Sequence, residues 1–188
     1  MIAERIGENR IEDFDISRML ETEFFAKSFL AAGEDERWLM TYYLAAGVYL
    51  VLFAIILFLI FRSRRDGDTA VSFLLLLGAA SIVLESLRYD FFLSISFVRL
   101  QQVAAALMLA LGVILAIRRS NGQKRALAIA AGLSLPLMVG AVIGLEFALD
   151  RTTWNKILIY AAMIVTVAVP AALGLRLLRN GEKGIRKA

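Results

Sequence analysis

The polar side chains that could do chemistry interrupt the apolar stretches of this sequence at only a few positions. Glu85 and Arg88 end the second apolar stretch at a helical i, i+3 spacing, and Asp90 follows them. Ionisable groups at the depth of a membrane are costly, so they are candidates for function. Further candidates begin the third apolar stretch and end the fourth: Arg99, Gln101, Gln102 and Glu146.

A cluster of mixed charge at one set of helix ends can hold the headgroup of a phospholipid. Arginine donates paired hydrogen bonds to phosphate, and glutamine pairs with a hydroxyl or an ester. A carboxylate can accept a hydrogen bond or act as a base. An alternative needs no ligand: Glu85 pairs with Arg88, and Glu146 pairs with Arg99 or Lys156, as salt bridges between helix ends.

The elements that position these residues follow from composition. The chain has 188 residues, of which 60% are hydrophobic, and a mean hydropathy of +0.71. Water-soluble domains are ~45–50% apolar, so this composition excludes a water-soluble fold. The chain contains neither Cys nor His, which excludes disulfides, thiolate or imidazole metal ligands and histidine acid–base catalysis. We expect no cofactor and no metal site.

Five stretches are long and apolar enough to cross a ~30 Å hydrocarbon core as helices. We therefore predict an all-α polytopic bundle with a domain at 39–178. The predicted spans are about 39–61, 70–88, 95–117, 126–149 and 157–178.

Lys and Arg are concentrated after the first, third and fifth stretches, which places those ends in the cytoplasm. This bias predicts an outer N-terminus, a basic cytoplasmic tail at 179–188 and a multi-pass protein of the cell membrane. Because the cations lie in separate short segments, they indicate membrane anchoring and do not indicate a nucleic-acid partner.

Residues 1–38 differ in composition, with ten acidic and five basic side chains. Ile16, Met19, Leu20 and Phe24 recur at helical spacing. We therefore predict an amphipathic helix on the outer face. Such a helix can shield apolar area, or it can act as a lid or dock a partner.

Small residues occur at helical spacing on two of the predicted spans. Gly140 and Gly144 form a GxxxG pair, which favours close packing within the bundle over dimerisation. Gly78 is expected to allow close packing of the second span in the same way.

Two runs of sequence resemble a known family. The runs LESLRYD at 84–90 and SFVRLQQV at 96–103, with a helix that ends at Arg119, are similar to the C-terminal part of prolipoprotein diacylglyceryl transferase. That bacterial inner-membrane enzyme transfers diacylglycerol from phosphatidylglycerol to a lipobox cysteine. The resemblance implies catalytic roles for Glu85 and Arg88. It also implies headgroup binding by Asp90 and by Gln101 or Gln102, which match an Asp and a Gln of the family.

The resemblance covers the second and third spans, and Ser81 stands where the family has an arginine, which implies a divergent relative. We therefore expect a protein whose outer-leaflet polar site contacts a phospholipid such as phosphatidylglycerol. If it is an enzyme, the resemblance implies a glycerolipid-dependent transferase. The alternative is a non-enzymatic membrane subunit or scaffold that docks a membrane protein partner. A small transporter is the least supported alternative, because five spans do not divide into two equal repeats.

Overall fold

A computed structural model describes residues 8–10, 30–32, 37–62, 66–87, 94–95, 98–120, 125–152 and 155–185 of this chain. Five helices account for most of the described residues. They are α1 (Thr41–Arg62), α2 (Asp68–Leu87), α3 (Leu100–Arg119), α4 (Arg125–Arg151) and α5 (Lys156–Ile185).

All five helices in this part of the chain are long and apolar enough to span a membrane. The prediction of five apolar spans and a multi-pass membrane protein is therefore confirmed, whereas their orientation stays a prediction. Because short connections join consecutive helices, neighbours along the chain run antiparallel. The C-terminal ends of α2 and α4 thus lie at the same end of the bundle as the N-terminal ends of α3 and α5.

Two small sheets lie outside the helices. In the first, the strands β1 (Glu8–Arg10) and β2 (Leu30–Ala32) both pair antiparallel with β3 (Arg37–Met40). The second is the hairpin of β4 (Ser94–Ile95) and β5 (Val98–Arg99), directly before α3. The apolar side chains of the predicted amphipathic helix lie outside the described residues, so that prediction is untested.

The helix bounds differ from the predicted spans at two places. The third span was expected to begin at 95, but α3 begins at Leu100, after the β4–β5 hairpin. This segment is rich in Ser, Phe and β-branched residues, which favour an extended backbone over a helix. In contrast, α5 continues to Ile185, so the described part of the basic tail is helical.

The core lies among α2, α3 and α5. Leu75, Leu109 and Met163 are fully buried there, and α4 packs against this group mainly through α5. None of the residues 43–61 of α1 is buried, and α1 packs mainly against α2. Many large apolar side chains face outward, as expected where lipid covers the surface.

Gly78 lies where the backbones of α2 and α3 approach each other closely. A Cβ atom at Gly78 would come within 2.7 Å of the Leu109 backbone nitrogen and 2.9 Å of the Ala105 carbonyl oxygen. Close packing at Gly78 is therefore confirmed. The expectation for Gly140 and Gly144 is wrong: a Cβ atom at either position would meet nothing within 4 Å. The GxxxG spacing marks a small helix face, but no described helix packs closely against it.

Candidate functional site

Two adjacent glutamines in the first turn of α3 reach two different helices. Successive residues of an α-helix point about 100° apart, so Gln101 faces α2 while Gln102 faces α4. The Gln102 Nε2 donates a hydrogen bond of 2.7 Å to Oε1 of Glu146. With its amide oriented to satisfy its neighbours, Gln101 Nε2 donates to Glu85 Oε1 and Oε2 at 2.7 and 2.9 Å.

The α3 N-terminus thus joins two carboxylates from two helices through neutral amide donors. The two contacts differ in burial, because Gln102 is buried and Gln101 is exposed. Glu85 and Glu146 are both half-buried. For Glu146, no partner other than Gln102 is present among the described residues, so its Oε2 is free to accept a hydrogen bond.

A groove of about 730 Å³ opens between α3 and α4 next to Glu146. The walls of the groove are apolar over most of its length, with Val103 and Ala106 on α3 facing Val139 and Ile143 on α4. Its volume lies within the ~300–1,000 Å³ that is usual for small-molecule sites. Gly140 and Gly144 also line the groove, which explains the open space beside both glycines.

The polar lining of the groove lies at the end where α4 terminates. Gln102, Glu146 and Arg151 line it there, and the Arg151 guanidinium lies 5.7 Å from the centroid of the Phe147 ring. Stacking on an aromatic face holds the arginine at the mouth of the groove while leaving its donors exposed. The groove therefore has a polar mouth and an apolar interior.

Tyr160 reinforces this end of the bundle from α5. Its hydroxyl donates a hydrogen bond of 3.2 Å to the carbonyl oxygen of Ser86, and both residues are buried. This bond ties the first turn of α5 to the last turn of α2, beside Glu85. Buried tyrosine hydroxyls usually have such a partner, but the sequence does not indicate which carbonyl accepts the bond.

Four of the seven predicted site residues come together at this end: Glu85, Gln101, Gln102 and Glu146. Arg88 and Asp90 lie outside the described residues, as does the side chain of Arg99, whose backbone is in β5. The predicted ion pair between Glu85 and Arg88 is therefore untested.

The sequence places Arg151 in the polar cluster at these helix ends, but we did not assign it a role in the site, and nothing in the sequence singled out Tyr160. The signal for Arg151 is its position directly after the carboxylates of α4. That position alone does not indicate binding, because the helix dipole favours a cation at any helix C-terminus. Tyr160 carries a weaker signal: it lies one turn inside α5, at the depth of Glu85.

The opposite end of the bundle holds a different polar contact. Arg119 Nη1 lies 2.5 Å from Oδ1 of the buried Asp68 and also donates to the Asp66 carbonyl oxygen at 2.9 Å. Between these two acidic residues, Gly67 has a φ of 82°, which favours glycine, and a Cβ atom there would clash with the Arg119 guanidinium. This ion pair joins α2 to α3 and was not predicted.

Within the described residues, no group of three or more Asp and Glu side chains is arranged to hold a metal ion. Comparison with protein-family models, with curated proteins and with solved structures finds no match for this chain. Its function must therefore be argued from the groove and from the residues at its mouth.

Proposed function

We propose that this protein binds a phospholipid of the outer leaflet, with the headgroup at the mouth of the groove between α3 and α4. The observation that carries the proposal is the change of chemistry along the groove. Gln102, Glu146 and Arg151 line the mouth, whereas Val139 and Ile143 belong to the apolar interior. A molecule with a polar head and a hydrocarbon tail matches this change.

The depth of the mouth supports the same ligand class. The apolar span of α4 is Arg125–Leu149, so Glu146 lies ~4.5 Å inside the end of that span at 1.5 Å per residue. Arg151 lies just beyond the span. Lipid phosphates and glycerol groups occupy this boundary between hydrocarbon and water.

The charges at the mouth define the roles that we propose. Arg151 binds the phosphate through charge-assisted hydrogen bonds. Gln102 fixes the rotamer of Glu146, which leaves the second carboxylate oxygen for a lipid hydroxyl. Gln101 holds Glu85 in the same way beside this site.

We further propose that the chain is a divergent relative of prolipoprotein diacylglyceryl transferase in a bacterial inner membrane. Glu85 and the two glutamines carry part of that resemblance, and they lie at one end of the bundle. If the protein is an enzyme, Glu85 accepts or orients a proton, and Arg88 or Arg99 neutralises the phosphate. Phosphatidylglycerol is then the expected lipid.

Native mass spectrometry tests the proposal directly. The purified protein in mild detergent receives a bacterial polar-lipid extract that contains diacyl and monoacyl phospholipids. We expect one bound phospholipid, with Arg151→Ala lowering its occupancy about tenfold because a charged hydrogen bond is lost. Arg118→Ala is the matched control, since Arg118 is an exposed arginine at the opposite end. Equal occupancy in all three proteins, or no bound phospholipid, would refute the proposal.

The orientation has its own test, because the chain has no native Cys. Single-cysteine variants Thr153→Cys and Ser63→Cys are treated in intact cells with a thiol reagent that does not cross the membrane. We expect labelling at 153 and protection at 63. The reverse pattern would place the site at the cytoplasmic face.

A second candidate is a non-enzymatic subunit that docks a membrane protein on α4. The observation that favours it is the open space beside Gly132, Gly140 and Gly144, because small residues allow another helix to approach closely. Pull-down from solubilised membranes tests it. A stoichiometric partner that is lost with Gly132→Leu supports docking, and a protein that purifies alone contradicts it.

A further inference from the structure

Helix α4 presents three kinds of surface to the groove in a fixed order. Arg151 lies at the outer end, and Glu146 follows ~7.5 Å further in at 1.5 Å per residue. Gly144 and Gly140 come next, ~3 and ~9 Å beyond Glu146, and Met138 lies at the inner end. From Arg151 to Met138 the lining covers ~20 Å of helix, comparable with one leaflet and its interface.

The hydrogen-bonding capacity of Glu146 restricts which chemical group of a ligand can lie beside it. An ionised carboxylate only accepts hydrogen bonds, and Oε1 already accepts one from Gln102. The remaining oxygen can therefore accept a hydrogen bond from a hydroxyl of the ligand. In a diacyl glycerophospholipid the glycerol between the phosphate and the chains bears only ester oxygens, which are acceptors and would repel the carboxylate. Any hydroxyl of the headgroup lies on the other side of the phosphate, away from the chains.

We infer that the groove selects a monoacyl glycerophospholipid, with phosphate at Arg151, the free glycerol hydroxyl at Glu146 and the single chain beside Gly144 and Gly140. This inference rests on the proposed function and narrows it to monoacyl lipids, in place of the diacyl phosphatidylglycerol that the family resemblance implies. The order of groups in such a lipid, phosphate then hydroxyl-bearing glycerol then chain, is the order of the lining on α4.

Gly144 and Gly140 suit the position of the hydrocarbon chain because they leave the groove open there. A Cβ atom at Gly140 would have no neighbour within 4 Å, so a side chain there enters empty space and not the packed core. Val103 and Ala106 of α3 form the facing wall. The apolar part of the groove therefore continues directly from the level of Glu146, where the chain of the lipid begins.

The test compares lipids that differ only at the level of Glu146. Monooleoyl phosphatidic acid, its methyl ether at the free glycerol hydroxyl, and dioleoyl phosphatidic acid are titrated into the purified protein, with binding followed by native mass spectrometry. We expect the monooleoyl lipid to bind about tenfold more tightly than the other two, as one charged hydrogen bond predicts.

Substitutions then connect this preference to the site. Glu146→Gln removes the charge and adds an amide donor, so the preference should fall to about one. Gly140→Leu should abolish binding by filling the channel. Gly132→Leu is its matched control, because Gly132 also borders open space on α4 but does not line the groove.

The outcomes separate this inference from the proposed function. Equal binding of monoacyl and diacyl lipids, weakened by Arg151→Ala, overturns the selection of monoacyl lipid and leaves phospholipid binding intact. No site-dependent binding of any phospholipid overturns both. A lipid-free dimer that is lost with Gly140→Leu but kept with Gly132→Leu would show that a second copy covers the groove, which also overturns the inference.

Discussion

Two of the interfaces that helix α3 makes, the α2–α3 seam and the α3–α4 seam, differ in how they are closed. The α2–α3 seam is held by the Arg119–Asp68 ion pair at one end and by the Gln101–Glu85 contact at the other, and Gly78 brings the two backbones together between them. The α3–α4 seam is held at the groove mouth by the Gln102–Glu146 hydrogen bond and opens into the groove below it.

The difference shows how one helix can serve both structure and binding. In the α2–α3 seam, an ion pair closes one end and the two backbones approach directly at Gly78. In the α3–α4 seam, Gly140 and Gly144 border empty space, and the Gln102 amide contacts one oxygen of the Glu146 carboxylate. The predictions below test this difference, from the largest expected effect to the smallest.

The largest effect is expected from Arg119→Ala, which opens the α2–α3 seam. The substitution leaves the buried Asp68 without this partner. Because Arg119 itself is 30% exposed, the pair is partly buried, and losing its charged hydrogen bond should cost about 2–3 kcal/mol. We expect this loss in the free energy of unfolding, measured by SDS titration in mixed micelles. Arg118→Ala, at the adjacent exposed arginine, should change the midpoint little. An equal loss in both variants would mean that the ion pair does not hold the seam.

The two seams should also respond differently to one added methyl group. Gly78→Ala forces a Cβ atom against the α3 backbone and should cost about 1–3 kcal/mol, as overpacking does in tightly packed sites. Gly140→Ala places the same group in open space and should cost close to nothing. Thermal unfolding of both variants in the same detergent checks this pair, and similar melting temperatures would contradict the difference in packing.

The Gln102–Glu146 hydrogen bond can be measured by a double-mutant cycle. Gln102→Ala, Glu146→Ala and the double variant should give a coupling of about 1 kcal/mol, because a net hydrogen bond of this kind contributes little beyond that. Phospholipid occupancy should nevertheless fall in Gln102→Ala, since Glu146 loses the group that orients it. Full occupancy in that variant would separate Glu146 from the site.

The smallest effect is expected from Tyr160→Phe, which removes a hydrogen bond between α5 and α2 at the same end of the bundle as Glu85. The loss of the bond to the Ser86 carbonyl should cost about 0.5–1.5 kcal/mol of stability. Binding in the groove should not change, because Tyr160 does not line it. A variant that keeps its stability but loses lipid would assign Tyr160 to the site itself.

The sequence predicted the depth of the polar residues but not their partners. Hydropathy places Glu85, Gln101 and Glu146 near helix ends, because each lies where an apolar stretch begins or stops. Which carboxylate each glutamine holds depends on the rotation of α3 between two neighbours, and no local pattern encodes that rotation. The ion pair of Asp68 and Arg119 was not predicted either. The two residues are 51 positions apart along the chain, so their contact also depends on how α2 and α3 pack.

The glycines show a second limit of local pattern. The GxxxG spacing correctly indicated a face of small residues on α4. Whether a helix, a lipid or nothing packs against that face depends on the positions of α3 and α5, which the spacing does not encode. Gly78 met the expectation because α3 packs closely on α2. The start of α3 was misplaced because apolar residues before Leu100 also suit a hairpin.

The outward-facing side chains of α1 determine how far its sequence can vary. None of the residues 43–61 is buried, and apart from the half-buried residues its side chains face outward, where we expect lipid. Leu, Ile, Val and Phe are then nearly interchangeable along α1, because each partitions favourably into hydrocarbon and none must fit a neighbour. Homologues are expected to drift rapidly in α1 while α2 and α3 keep their residues, and an unrelated apolar helix spliced in its place should still yield a folded protein.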